Sequence, residues 1–223
     1  NKIIFDKCSS PQEQTLIIPR ELGNTIVIDT YKIRGEKKIH VYIKMIDTLT
    51  FLPFLTATLI VELIMITVFR KTTPWGSGAK WSSINRWYTN LGWTAVILDT
   101  LSVLIGFYIA RYIYNYLLSH NYITKSKPLL KYLAIVLLVQ ITHDILFYKL
   151  IIQPSQKGNS IVMDEFIDYA DTVKVNAIIG DSIMYLMGVP LLFYVSQQSK
   201  VKNEFISIVC LYLVGYLIHQ KPK

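Results

Sequence analysis

Ala95-Val-Ile-Leu-Asp99-Thr-Leu-Ser102, Gln140-Ile-Thr-His-Asp144-Ile-Leu-Phe147 and Ala177-Ile-Ile-Gly-Asp181-Ser-Ile-Met184 each set an aspartate inside an apolar run of lipid-crossing length. Leu59-Ile-Val-Glu62-Leu-Ile-Met-Ile66 adds a glutamate in the same setting. An ionisable group at bilayer depth costs several kcal/mol, so such groups face a bundle interior and find partners there. These stretches therefore predict a bundle of membrane helices with a polar interior.

The spans follow from run length. About 30 Å of hydrocarbon at 1.5 Å per residue needs roughly 20 apolar residues. Residues 48–69, 88–118, 129–152 and 175–195 meet this, with Pro53 early in the first span, where a proline is tolerated. Pro190 is placed to kink the fourth. Residues 205–218, between Glu204 and His219, form a shorter fifth candidate. It spans by thinning the bilayer or lies among the other helices. The fold class is thus an all-α polytopic membrane protein with four to five transmembrane helices.

Composition agrees. Of 223 residues, 52% are hydrophobic and 17% charged, a balance uncommon in soluble domains. The net charge of +8 sits mostly in loops between apolar runs. There it suits lipid headgroups or acidic protein partners rather than nucleic acid. Two cysteines, Cys8 and Cys210, make no disulfide framework.

Residues 1–47 differ in texture. Thr15–Pro19, Thr25–Ile28 and Ile39–Ile43 are β-branched runs separated by turn formers such as Gly23-Asn24 and Gly35. They predict a small β-rich extramembrane element ahead of a helical domain at 48–223. Between the third and fourth spans, residues 160–173 predict an amphipathic acidic helix. Val162, Phe166, Tyr169, Ala170 and Val173 fall on one side, and Asp164, Glu165, Asp168 and Asp171 on the other. Those four acids are candidates for docking a basic partner, or simply a solvated face. Trp75, Trp81, Trp87 and Trp93 recur every sixth residue, which is no helical stripe, and read as an interfacial aromatic belt.

On the third span Gln140, His143 and Asp144 are spaced i, i+3, i+4 and share a face. With Glu62, Asp99 and Asp181 they form an expected intramembrane polar network. Such a network can hold helices in register, each bond contributing about 0.6–2 kcal/mol. It can also carry protons, since His and Asp together at low dielectric suit acid–base exchange. Catalytic signatures are missing: no His-Glu-x-x-His, no Gly-x-Ser-x-Gly and no phosphate-cradling glycine loop. No enzyme, cofactor, metal site or small-molecule substrate is expected on this ground. Finally, Ala95–Leu101 matches Ala177–Ile183 in residue type at nearly every place, 82 positions apart. Spans two and four run the same way, so a parallel internal repeat is conceivable.

Val139-Gln-Ile-Thr-His-Asp-Ile-Leu-Phe-Tyr148, Lys157-Gly-Asn-Ser160, Met163-Asp-Glu-Phe-Ile-Asp-Tyr-Ala170 and Ala177-Ile-Ile-Gly-Asp-Ser-Ile-Met184 follow one another in order. This succession resembles an uncharacterised multi-spanning membrane protein family of large double-stranded DNA viruses of algae and protists. The resemblance covers roughly Trp93 to Leu192. It implies a structural protein of a viral internal membrane that anchors the capsid shell on the bilayer, with lipid and other membrane or capsid proteins as partners. A transporter or proton-coupled protein is the alternative, and an accessory subunit of a membrane complex a further one.

Overall fold

The computed structural model describes residues 15–22, 25–32, 39–44, 46, 49–71, 79–124 and 126–220; the side chains of the strands and of residues 70–71 and 79–82 fall outside the description. The chain divides into two compact units, Asn1–Leu49 and Thr50–Lys223. In the first, β1 (Thr15–Leu22), β2 (Thr25–Lys32) and β3 (Ile39–Lys44) pair antiparallel in the order β1-β2-β3. Leu22 faces Thr25 and Thr30 faces Ile39. Pro19 lies on β1, an edge strand of this sheet, where the missing N–H does least harm.

The second unit is helical: α1 (Phe51–Lys71), α2 (Ala79–Leu91), α3 (Trp93–Ser119), α4 (Pro128–Phe147), α5 (Ile161–Val173), α6 (Val175–Val195) and α7 (Lys200–Ile218). The last turn of α4 widens into a π-helical segment, Tyr148–Ile152. Among the described residues, five helices are long and apolar enough to cross a membrane: α1, α3, α4 with its π segment, α6 and α7.

Two expectations change here. The span expected at 88–118 is broken: α2 ends at Leu91, and α3 begins at Trp93. The cause is Gly92, with φ 52° and ψ −122°, a conformation open to glycine and costly for other residues. The short fifth candidate grows at its N-terminus, because α7 starts at Lys200. Ser199 caps it by accepting from the Lys202 amide, and Asn203 is buried, donating to the Val195 carbonyl at 3.0 Å. The polar first turns thus belong to a helix of 19 residues.

The helices repeat. Each element of α1–α2–α3 has a counterpart in α4–α5–α6 at a constant offset of 82 positions. Glu62 corresponds to Asp144, Gly92 to Lys174, Asp99 to Asp181 and Gly106 to Gly188. Helices α2 and α5 are both 13 residues long. Lys174 joins α5 to α6 at φ 54°, ψ −132°, nearly the conformation of Gly92. Packing follows the same symmetry: α1 lies on α3 and α6, α4 on α6 and α3, and α2 on α5.

The two later glycines explain how the halves interlock. A Cβ on Gly106 would lie 2.0 Å from the Tyr185 hydroxyl of α6, and one on Gly188 would lie 3.0 Å from Phe107 Cζ of α3. Each half therefore opens a notch that receives an aromatic ring of the other. Phe107 and Tyr185 meet edge to face at 5.2 Å, a favoured aromatic geometry. Tyr132 of α4 is fully buried beside them and donates to the Phe107 carbonyl at 2.8 Å. Helix α7 stands outside the duplication and packs on α1. Thr56 of α1 and Ser207 of α7 are linked by a 2.9 Å hydrogen bond between their hydroxyls.

Candidate functional site

Glu62 is fully buried on α1. Tyr88, from α2, reaches in beside it: its hydroxyl is 3.3 Å from Glu62 Oε1 and 3.3 Å from Asp99 Oδ2. Trp87 donates its indole N–H to the same Asp99 oxygen at 3.2 Å. Burial, then the neighbouring carboxyls of Glu62 and Asp99, holds the Tyr88 phenol well above its ordinary value. Tyr88 therefore keeps its one proton. A hydroxyl proton bonds one acceptor well, so the second contact is satisfied when a carboxyl carries its own proton and donates to the phenolic oxygen. Asp99 also accepts from Trp87. The other Glu62 oxygen, Oε2, is buried without a hydrogen-bond partner.

The second half arranges its acids differently. Gln140 donates its amide to Asp144 Oδ2, while its own oxygen accepts from Ser182 of α6 at 2.9 Å. His143 Nδ1 lies 3.2 Å from Asp144 Oδ1, and the imidazole is half exposed. Asp144 of α4 and Asp181 of α6 line one cavity. Among the described residues, no lysine or arginine pairs with Glu62, Asp99 or Asp181.

The two halves meet at a small cavity of about 110 Å³ lined by Asp99 on one side and Asp181 on the other, with Phe166 and Tyr169 between. It has room for about three waters at roughly 30 Å³ each. A larger cavity of about 420 Å³ opens beyond Asp181, between α4 with its π segment, α5 and the start of α6; Asp144 and Asp181 line it. The acids therefore form one path: His143, Asp144, Asp181, the small cavity, Asp99, Tyr88, Glu62.

Helix α5 closes this path from one side. Phe166 packs on Trp87 at 4.7 Å and on Phe147 at 5.3 Å. Arg86 of α2 bonds Glu165 at 3.2 Å and Asp168 at 2.8 Å, and Asn90 donates to Glu165 at 2.6 Å. Lys157 also pairs with Asp168. That lysine, with Arg86 behind it, holds the Asp168 carboxyl below its usual range, and Asp168 in turn raises Lys157. Asp164 accepts from the Gly158 amide. Of the four acids expected to face a partner, Glu165 and Asp168 thus serve an internal clamp, whereas Asp171 is exposed. The apolar stripe could not reveal this, because the clamp's cation lies 79 residues upstream of Glu165.

The aromatic belt also divides. Trp87 is buried and turned onto Asp99, since α2 lies across the bundle rather than continuing α3. Trp93 keeps 41% of its surface exposed and lies over Gly215 of α7. Trp75 and the Trp81 side chain lie outside the described residues. Cys210 is buried as a free thiol, and Cys8 is also outside the description. Among the described residues no group of three or more His, Cys, Asp and Glu side chains is placed to hold a metal ion. Tyr88 and Arg86 are site residues that the sequence does not single out, and Trp87, expected in the belt, joins them. The only signal for them was the 82-position offset, which aligns Trp87 with Tyr169 and Arg86 with Asp168.

Compared with protein-family models, curated proteins and solved structures, the chain matches none.

Proposed function

We propose that the protein handles protons within the membrane and couples their movement to a small solute, acting as a proton-coupled membrane protein rather than an enzyme. One observation carries this reading: four intramembrane carboxyls lie along adjoining contacts and cavities, and among the described residues no lysine or arginine pairs with them. A network that only fixes helices is expected to satisfy every member, because a half-satisfied buried group is costly. Here Glu62 Oε2 has no hydrogen-bond partner among the described residues, and two carboxyls, Asp144 and Asp181, line one cavity. His143, half exposed at one end, is a residue whose ordinary titration lies near neutral pH. The test is proton uptake by liposomes containing the purified protein under an imposed pH gradient. Uptake above protein-free liposomes, lost in Asp181→Asn, is the expected result. Wild-type uptake equal to empty liposomes ends the proposal.

A second reading, a structural protein that anchors a capsid shell on the internal membrane of a virus particle, draws on the separate N-terminal unit. In that reading residues 1–47 form a small β-rich extramembrane element that meets the shell. The internal clamp on α5 leaves Asp171 and the N-terminal unit as its contact surfaces. Its test is copy number: ordered, stoichiometric presence in purified particles supports it, and confinement to host-cell membranes refutes it.

A further inference from the structure

The helical backbone departs from regular geometry at two places that line the larger cavity. One is the π segment, which contributes Tyr148, Lys149 and Ile152; the other is Lys174 at φ 54°. π turns are rare and gather at functional sites. Lys174 is the more telling. Its counterpart in the first half is Gly92, so the fold has a strain-free solution to this junction. A lysine there stores strain, which persists where the surroundings or the function require that side chain.

The cavity has the chemistry to use it. Its volume of about 420 Å³ falls in the range of small-molecule sites. Asp144 and Asp181 supply negative charge at one end, with Phe147, Phe166 and Tyr169 as ring walls. Lys149 and Lys174 line it as exposed residues, and neither is ion-paired with a described acid. Lys149 follows Asp144 by five residues and Lys174 precedes Asp181 by seven. The charges of opposite sign are therefore about 8 and 10 Å apart along the two helix axes. A simple cation would be repelled by the lysines, and a simple anion by the acids.

The geometry points to a binding site for a small zwitterion, an ammonium and an anionic group joined by an apolar spacer. Its ammonium enters between Asp144, Asp181 and the rings, where carboxylate and cation–π contacts add. Its anionic group rests on Lys149 and Lys174. The spacer lies along the apolar wall. This substrate class rests on the proton-coupled reading above for its role in transport, but not for its binding.

Equilibrium binding to the detergent-purified full chain tests it, with 6-aminohexanoate, hexylammonium and hexanoate as probes. 6-Aminohexanoate is expected to bind at least about tenfold more tightly than either single-charge probe, the effect of one charge-assisted contact. Lys174→Gly removes the anion anchor and the strain together. It should weaken 6-aminohexanoate about tenfold, leave hexylammonium unchanged or improved, and leave the melting temperature equal or higher. Asp181→Asn should weaken hexylammonium and spare hexanoate. Equal binding of 6-aminohexanoate and hexylammonium overturns the zwitterion assignment, as does preference for hexanoate or no binding of any probe. Binding without proton uptake in the same preparation refutes the relay and keeps this site. Uptake without binding refutes the site and keeps the relay.

Discussion

The two halves of the helical unit share one plan and differ in how tightly they are sealed. In the first, α1 is 56% buried over its most apolar window, covered by α7 on its outer side. In the second, the counterpart α4 with its π segment is 17% buried over the same kind of window, and among the described residues no further helix covers it as α7 covers α1. The acids follow suit. Glu62 is fully buried, whereas Asp144 keeps 18% of its side-chain surface exposed and touches a half-exposed histidine. The same scaffold thus places one acid in a closed interior and its counterpart at a less covered position. Duplication supplies the scaffold, and a single extra helix supplies the asymmetry.

Substitutions at corresponding positions break or sharpen this comparison. The largest effect is expected on flux: Asp181→Asn and Glu62→Gln cut the path in either half, so both should bring proton uptake in liposomes down to background. Loss in one variant alone would confine the path to one half.

Next come the notches. Gly106→Ala forces a Cβ to 2.0 Å from the Tyr185 hydroxyl, where Gly188→Ala meets Phe107 at 3.0 Å. Overpacking of this kind costs about 1–3 kcal/mol. Thermal unfolding should show Gly106→Ala as the worse of the two, with partial recovery when Tyr185→Phe removes the clashing hydroxyl.

The junctions give a smaller effect of opposite sign. Gly92→Ala places a side chain at φ 52° and should destabilise by about 1–3 kcal/mol. Lys174→Gly relieves the same conformation and should be neutral or stabilising by melting temperature.

The smallest is the pH response of the α2–α5 clamp. Asp168 sits below its usual pKa in the folded protein, so its ion pairs stabilise the docked helix above the ordinary aspartate range. That contribution is lost as pH falls through the depressed value. Lys157 is raised, so its share is present below the ordinary lysine range and lost as pH rises through the elevated value. Hydrogen exchange in α5 should therefore quicken at acid pH in the wild type, and Asp168→Asn should exchange faster at neutral pH and flatten the acid response.

Part of the site is legible in the sequence. An acid in the middle of an apolar helix is conspicuous because hydrocarbon tolerates it only for a reason; Glu62 and Asp99 both meet Tyr88, Asp99 and Asp181 line one cavity, and Asp181 and Asp144 line another. The matching text around Asp99 and Asp181 pointed to the repeat, and the offset of 82 holds from Glu62 to Gly188. What stayed hidden depended on contacts distant in sequence or on backbone geometry. Gly92 follows Thr89-Asn90-Leu91 near the start of the expected second span, and a lone glycine carries no hydropathy signal, although its dihedrals end one helix and start another. Trp87 reads as interfacial and Tyr88 as the start of a span because nothing local shows that α2 packs on α5. Glu165 and Asp168 looked free because Arg86 is on another helix. The polar Lys200–Glu204 turn hid the start of α7, since hydropathy cannot see a cap such as Ser199.

The proposed proton handling requires protonated carboxyls at neutral pH, one at Glu62 beside Tyr88 and one at the Asp144 and Asp181 pair lining the larger cavity. Infrared difference spectroscopy of the protonated-carboxyl stretch at neutral pH reads this directly. The account predicts two such populations, one lost in Glu62→Gln and the other in Asp181→Asn. A spectrum with no protonated carboxyl at neutral pH, unchanged by either substitution, would contradict it.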